Sequence, residues 1–292
     1  QSFPPNPLQL LSHKILHKLP ILLCKMIKIQ HLHSADRQEK NGKITMPDGE
    51  VYGLNIRFPI NYENSALQVA SGKPIHISAH NIRYGALSVA NGELDLFGRY
   101  PNTMKNPLIL KNVKVSLFDG ELTISQLTFP QSKMATLSFT NIDLAQVLAL
   151  AQYNQVTLTG RANATLPFWF GHKECLICNG TLEQVGNVSI KLTDEMIKGL
   201  KKGGWTENIL VDLLKEMELK NSHATVTLDP KGQMTLRASI SGFNPTKRTN
   251  NPITLNYTHQ ENMFELWNMI DYGSQFEQNL QYKLYKQLDK DK

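Results

Sequence analysis

The 292-residue chain contains no run approaching the ~20 apolar residues that a membrane-crossing helix needs. Its longest candidate, residues 19–23, is broken by Pro20 and followed by Lys25. The signatures of common chemistries are missing too: there is no Gly-x-Ser-x-Gly elbow, no Gly-x-x-x-x-Gly-Lys phosphate loop and no His-Glu-x-x-His pair. Nothing here argues for an enzyme. The histidine pairs His13/His17, His31/His33 and His76/His80 have no third ligand in reach of the pattern, so they read as solvated or core side chains, and neither a metal nor a cofactor is expected. Cysteine is scarce: Cys24, Cys175 and Cys178 leave at least one thiol unpaired. Cys175 and Cys178 form a Cys-x-x-Cys preceded by His172, but zinc wants four ligands and no second Cys-x-x-Cys exists. A thioredoxin-like site would place its first Cys at a helix start, whereas Asn179-Gly180 and flanking aromatics point to a loop or hairpin. A short structural disulfide or a pair of free thiols is the expectation, with metal or redox chemistry the lesser alternative.

Charge is modest at 19% and hydrophobic content ordinary at 41%, which excludes wholesale disorder. The formal net charge of +6 resides partly in lysine clusters at Lys14/Lys18/Lys25/Lys28, Lys198/Lys201/Lys202 and Lys283/Lys286/Lys290/Lys292. None interleaves Arg with stacking aromatics, and no helix-turn-helix or zinc-finger spacing occurs, so no nucleic-acid partner is expected. Solvated helix faces and contact with anionic headgroups remain as readings of the lysines.

What the chain does have is alternation. An amphipathic basic helix over residues 7–29, kinked at Pro20, gives way near Ser34 to turn-rich sequence that reads as a hairpin, with Asn41-Gly42 and Pro47-Asp48-Gly49 among its turn signals. From Ile75 to Phe129 the pairs Leu87/Val89, Leu94/Leu96, Val113/Val115/Leu117 and Leu122/Ile124 keep a period of two, the mark of strands with one apolar face. Asn91-Gly92 and Asp119-Gly120 are expected to be hairpin turns between them. Asn141 is expected to cap a short helix carrying Leu144, Val147, Leu148 and Ala151. Strands resume at Val156/Leu158, at Ala162/Ala164/Leu166/Phe168/Phe170 and at residues 185–192, followed by helices capped near Thr193 and Thr206. A hairpin spans residues 223–240 about Asp229-Pro230-Lys231-Gly232. Ile253, Leu255 and Tyr257 then alternate as a strand, Thr258 and Glu261 fit a capping box, and Met263, Phe264, Trp267 and Ile270 share one face of the helix that follows. Ser274 and Glu277 fit a second capping box for a helix bearing Phe276, Leu280, Leu284 and Leu288. The organisation is thus a basic amphipathic segment at 1–33, a β-domain with inserted short helices at 34–258, and C-terminal amphipathic helices at 259–292. One-faced sheets must cover that face, either by closing as a sandwich or barrel or by holding a ligand in an apolar channel, and periodicity does not choose between these.

Two of these stretches carry a resemblance. The strand and capped helix of "ITLNYTHQENMFELW", and the unit "FTNIDLAQVLALAQYNQVTLTGRANATLPFWF" with "GTLEQVGNVSIKL" after it, resemble the YdbH family of AsmA-like and TamB-like bridge-type phospholipid transporters of double-membrane bacteria. The likeness spans roughly residues 94–287 and is loosely patterned. It implies a mainly β fold with short helices, an elongated antiparallel sheet curled into a U-shaped hydrophobic groove (a β-taco) with amphipathic helices at both ends. It also implies a function: the chain would be the C-terminal, outer-membrane-proximal part of a periplasmic protein that moves phospholipid between inner and outer membranes, with any inner-membrane anchor outside this chain. Leu94, Leu96, Val113, Val115, Leu117, Leu122, Ile124, Leu166, Phe168 and Phe170 are then the groove candidates. Met263, Phe264, Trp267 and Ile270 are the candidates for docking at the membrane or a partner. The partners so implied are a small outer-membrane lipoprotein of the YnbE type, added as a strand at an open edge, and a periplasmic YdbL-type protein. The alternatives are a closed structural β-protein of the cell envelope and a periplasmic dicarboxylate-binding component, though no Arg cluster suits the latter.

Overall fold

The computed structural model describes residues 34–46, 49–63, 66–69, 73–85, 87–100, 102–150, 156–195, 197–198, 215–246 and 252–263. The basic segment 7–29, the helix after Thr206, Phe264, Trp267, Ile270 and the helix of residues 274–288 lie outside the described residues.

Fifteen strands form one sheet. They are β1 (Ser34–Met46), β2 (Gly49–Glu63), β3 (Ala66–Val69), β4 (Ile75–Tyr84), β5 (Leu87–Phe97), β6 (Arg99–Tyr100), β7 (Leu108–Leu117), β8 (Gly120–Phe129), β9 (Ala135–Asp143), β10 (Val156–Phe168), β11 (Ile177–Leu192), β12 (Glu216–Leu219), β13 (His223–Leu228), β14 (Gln233–Phe243) and β15 (Ile253–Asn262). The pairing runs β1-β2-β4-β5-β7-β8-β9-β10-β11-β13-β14-β15, antiparallel throughout, with β3 and β6 beside β2 and the short β12 bridging β11 and β14. Near neighbours in sequence are neighbours in space, as the period-two pattern separated by short connectors predicts. Among the described residues no pairing joins β1 to β15, so the described strands form an open sheet.

The Asn-Gly dipeptides do not sit where the sequence places them. Asn41 and Asn91 lie inside β1 and β5, with φ of 54° and 48°. Asn112, Asn141 and Asn179 take the same left-handed conformation inside β7, β9 and β11. Each falls where the pairing register slips, so these are β-bulges and not hairpin turns. The misreading has a physical reason: a tight hairpin turn and this bulge both demand positive φ, which Asn tolerates and β-branched residues do not. Local hydrogen bonds brace the bulges. Asn41 N donates to Asn55 Oδ1 at 3.1 Å, Asn141 N to Asn163 Oδ1 at 2.8 Å, and Asn112 Nδ2 to Asp95 Oδ2 at 2.8 Å. The turn near Asp119 is real but centred one residue earlier, on Phe118 and Asp119 (φ 52° and 53°), with Leu117 opposite Gly120.

Helix α1 (Leu144–Leu150) is capped by Asp143 and not by Asn141: Asp143 Oδ1 accepts from Ala145 N at 2.8 Å and Gln146 N at 3.2 Å. Asn141 is still in the strand. The expected capping box at Thr258/Glu261 is also overturned, because β15 continues to Asn262 and both residues pair with β14. Alternation from Ile253 through Glu261 continues past Tyr257, and the polarity of its later members hides it. The hairpin of residues 223–240 folds as its pattern predicts, with Ala224, Val226 and Leu228 opposite Ala238, Leu236 and Met234. Asp229 Oδ1 closes its turn by accepting from Lys231 N and Gln233 N.

Candidate functional site

Directly opposed residues in a sheet share a face, so the register can be read as rows of side chains. One row runs Val115, Leu122, Phe139, Ala164, Leu182, Ala224, Ala238 and Tyr257, crossing from β7 to β15. A second, Ala135, Phe168, Ile177, Leu228, Met234, ends at Glu261. Together they make a continuous apolar stripe across the strands, turning polar at the edge strand, where Tyr257, His259 and Glu261 interact (Tyr257 Oη to His259 Nδ1 at 3.2 Å, His259 Nε2 to Glu261 at 3.7 Å).

The sequence-derived groove candidates fall on this surface in two groups. Leu96 is buried among Leu54, Ile56, Ile75 and Ala79, with Leu94 packed alongside. Phe168 is buried with Leu127 and Ala135, and Ile124 and Phe170 pack against them. Leu110 touches both clusters and makes them continuous. Val113 opposes Ile124, Val115 opposes Leu122, and Leu166 lies against Gly180, whose missing Cβ would sit 2.6 Å from its Cδ2. Most of these residues are only half-buried; Leu96, Leu117 and Phe168 are the buried ones. Sequence reasoning missed Phe139, Leu182, Ala224 and Ala238 as members of the stripe. Leu137 and Phe139 do alternate, and that period of two was the signal that could have found them.

Charges occupy the other face. Lys114, between Val113 and Val115, pairs with Glu121 at 2.6 Å, and that partner raises the lysine's pKa. Glu50 meets both Lys43 and Arg83. Asp95 is held by His76 Nδ1 at 2.9 Å and by Asn112; burial pushes its pKa up, but these hydrogen bonds outweigh that and the net direction is down. Arg161 is spent on the carbonyls of Asp119 and Asn141, so neither it nor Arg83 is available for a small dicarboxylate.

Cys175, in the connector between β10 and β11, and Cys178, the second residue of β11, are joined as a disulfide. His172 Nδ1 accepts from the backbone N of Glu174 and of Cys175 and stands 3.4 Å from Cys175 Sγ. Ligand atoms of His172, Cys175 and Cys178 lie within 4.8 Å of one another, but with both sulfurs bonded to each other no thiolate remains for an ion. Of the docking candidates, Met263 is the first residue past β15, its N donating to Gly232 O at 2.8 Å.

Comparison with known proteins agrees with the geometry. Residues 34–285 match the family model described as YdbH-like, intermembrane phospholipid transport protein YdbH. The chain is 27% identical over 234 residues to the "Probable phospholipid transport protein YdbH" of Escherichia coli (strain K12), covering 80% of this chain and 26% of that protein. The chain thus spans about a quarter of the length of the curated relative it matches. No solved structure matches.

Proposed function

The chain belongs to the YdbH-like family, and on that premise we propose that its sheet forms a stretch of a groove in which phospholipid acyl chains cross the periplasm while headgroups stay in water. One observation carries the reading: a stripe of mostly half-buried apolar side chains crosses the sheet from β7 to β14, and among the described residues the one helix, the short α1, packs on β10 and does not span it. A lone apolar face of that extent needs a cover, and acyl chains provide one without fixed pairing. Each methylene kept from water contributes roughly 0.8 kcal/mol, so a lipid leaves a membrane readily only along a continuous apolar path. Binding and guidance, not bond chemistry, are the task.

The same reading puts the chain near the outer membrane. The free edge of β15 suits strand addition by a lipoprotein of the YnbE type, because its outward N–H and C=O groups are unpaired among the described residues, and a YdbL-type protein would assist. The test is direct: chain purified from a double-membrane bacterium is extracted and its lipids quantified by mass spectrometry. Stoichiometric phospholipid supports the groove; protein free of lipid that also captures none from vesicles refutes it.

A further inference from the structure

The two ends of the strands differ in their charges. At the end where β4, β7, β9, β11 and β14 begin, every connector carries an exposed lysine: Lys73, Lys105, Lys133, Lys173 and Lys231. Among the described residues none of these five makes an ion pair, whereas on the strands Lys43 and Lys114 are paired with glutamates and Lys111 lies over the Phe97 ring. The described acids in these connectors are Glu174 and Asp229, and Asp229 is engaged by backbone N–H groups. The opposite end is mixed, with Asp119, Asp143, Asp194 and Glu195 beside Lys198 and Lys220.

Four of the five lysine-bearing connectors, those of Lys105, Lys133, Lys173 and Lys231, are also tied in series. Asn102 Nδ2 donates to Phe129 O, Gln131 Nε2 to Phe168 O, and Leu176 N to Leu228 O, each tying one connector to the next. Successive lysines stand two strands apart along the sheet order, roughly 10 Å at ordinary strand spacing. Two of them have an exposed methionine as sequence neighbour, Met104 beside Lys105 and Met134 beside Lys133, at 64% and 50% exposure.

From this we propose that the rim is a headgroup rail: its unpaired lysines bind the phosphate of glycerophospholipids whose tails lie on the apolar stripe, handing the anion from one connector to the next. The idea rests on the groove reading and adds to it what holds the polar end of the lipid. An anion leaving one lysine meets the next within about the width of a headgroup, so no single site traps it, which is what transit requires.

The experiment uses the full chain with two probes, phosphatidylglycerol and diacylglycerol, which share tails and differ in the phosphate. The rim variant is K105E/K133E/K173E; the control, K40E/K191E/K198E, makes the same charge change at exposed lysines away from the rim. Circular dichroism checks that both fold. The expected result is that the rim variant captures phosphatidylglycerol about fivefold less than wild type, the loss of roughly one lysine contact per phosphate, with diacylglycerol capture unchanged and the control near wild type. Equal phosphatidylglycerol capture by rim variant and wild type, or equal loss in the control, overturns the rail and leaves the groove standing. Displacement of phosphatidylglycerol from wild type by inorganic phosphate, beyond what chloride of the same ionic strength does, means a free-anion site and also overturns it. A wild-type chain that captures neither lipid defeats the groove reading itself, and the rail with it.

Discussion

Val115→Asp separates a lipid-bearing face from an ordinary core. Val115 is half-buried and faces Leu122 across β7 and β8. In the lipid-free protein a carboxylate there keeps access to water, so the cost to folding is the lost partial burial of one valine, about 1 kcal/mol. With acyl chains on the stripe the balance changes. A charge either loses its water, at several kcal/mol, or holds the tails away from its neighbourhood. Exposing about four methylenes costs roughly 3 kcal/mol, which is about a hundredfold in affinity. The variant should therefore melt close to wild type while the phospholipid recovered with it falls to a few per cent. Thr123→Asp, on the other face and opposite Lys114, is the control and should keep its lipid. If V115D and T123D carry lipid equally, acyl chains do not lie on this face. Leu96→Asp would not serve, since Leu96 is 4% exposed and the charge would unfold the protein before any lipid was tested.

A photoreactive benzoylphenylalanine in place of Ile124 should crosslink phospholipid in cells, and the same group in place of Glu121 should not; equal labelling at the two positions would remove the sidedness on which the groove depends. Gly160→Ala should lower the urea midpoint by the equivalent of about 2 kcal/mol, because φ is +107° there and an added Cβ would stand 2.5 Å from Asn187 O; a shift near zero would mean that Gly160 does not hold this conformation. Asp95→Asn should destabilise the protein at pH 7, and the gap to wild type should close below about pH 4. The carboxyl's folded pKa is depressed, so its contribution is present above the unfolded value near 3.9 and is lost as pH falls through the folded one. Melting curves that stay equally far apart at pH 7 and pH 3 would contradict this. C175S/C178S should retain lipid capture and lose at most ~2 kcal/mol of stability, as expected for so short a closed loop; loss of capture in a folded double variant would give the pair a role beyond bracing.

Strand identity was legible in the sequence wherever one face is apolar, since burial imposes a period of two on Leu94/Leu96, Val113/Val115 and the 223–240 hairpin. Turns were less so. Asn91-Gly92 and Asn179-Gly180 specify a left-handed backbone, and that alone does not say whether the chain reverses or merely bulges. Only the partner strand decides, and it is remote in sequence: β7 for Asn91, β10 for Asn179. Edge strands were harder again. The later half of β15 presents His259 and Glu261 where an inner strand would present apolar residues, so its alternation carries no hydrophobic signal and Thr258/Glu261 mimics a helix start. The stripe as a row across strands has no local signature. Phe139, Leu182 and Ala238 are far apart in the chain and become neighbours only through register.

The bulges that defeated the turn assignment bear on function. A flat sheet with one apolar face would present a plane, from which acyl chains could leave sideways; a groove needs bending across the strands. Each bulge adds a residue to one strand of a pair, which bends that strand and increases the local twist. In this sheet they recur on β1, on the adjacent β5 and β7, and on β9 and β11, so that β7, β9 and β11 carry one on every second strand of the sheet order. They also leave the stripe intact. Leu110 and Val113 flank Asn112 on β7, and both still reach one apolar cluster through Leu110 and the partner of Val113, Ile124. Asparagine suits the position twice over, taking the left-handed backbone and supplying, at Asn112, an amide that ties the bulge to Asp95 on the charged face. Bulges that bend single strands, an apolar face they leave intact and a hydrogen-bonded opposite face are the properties the proposed groove requires.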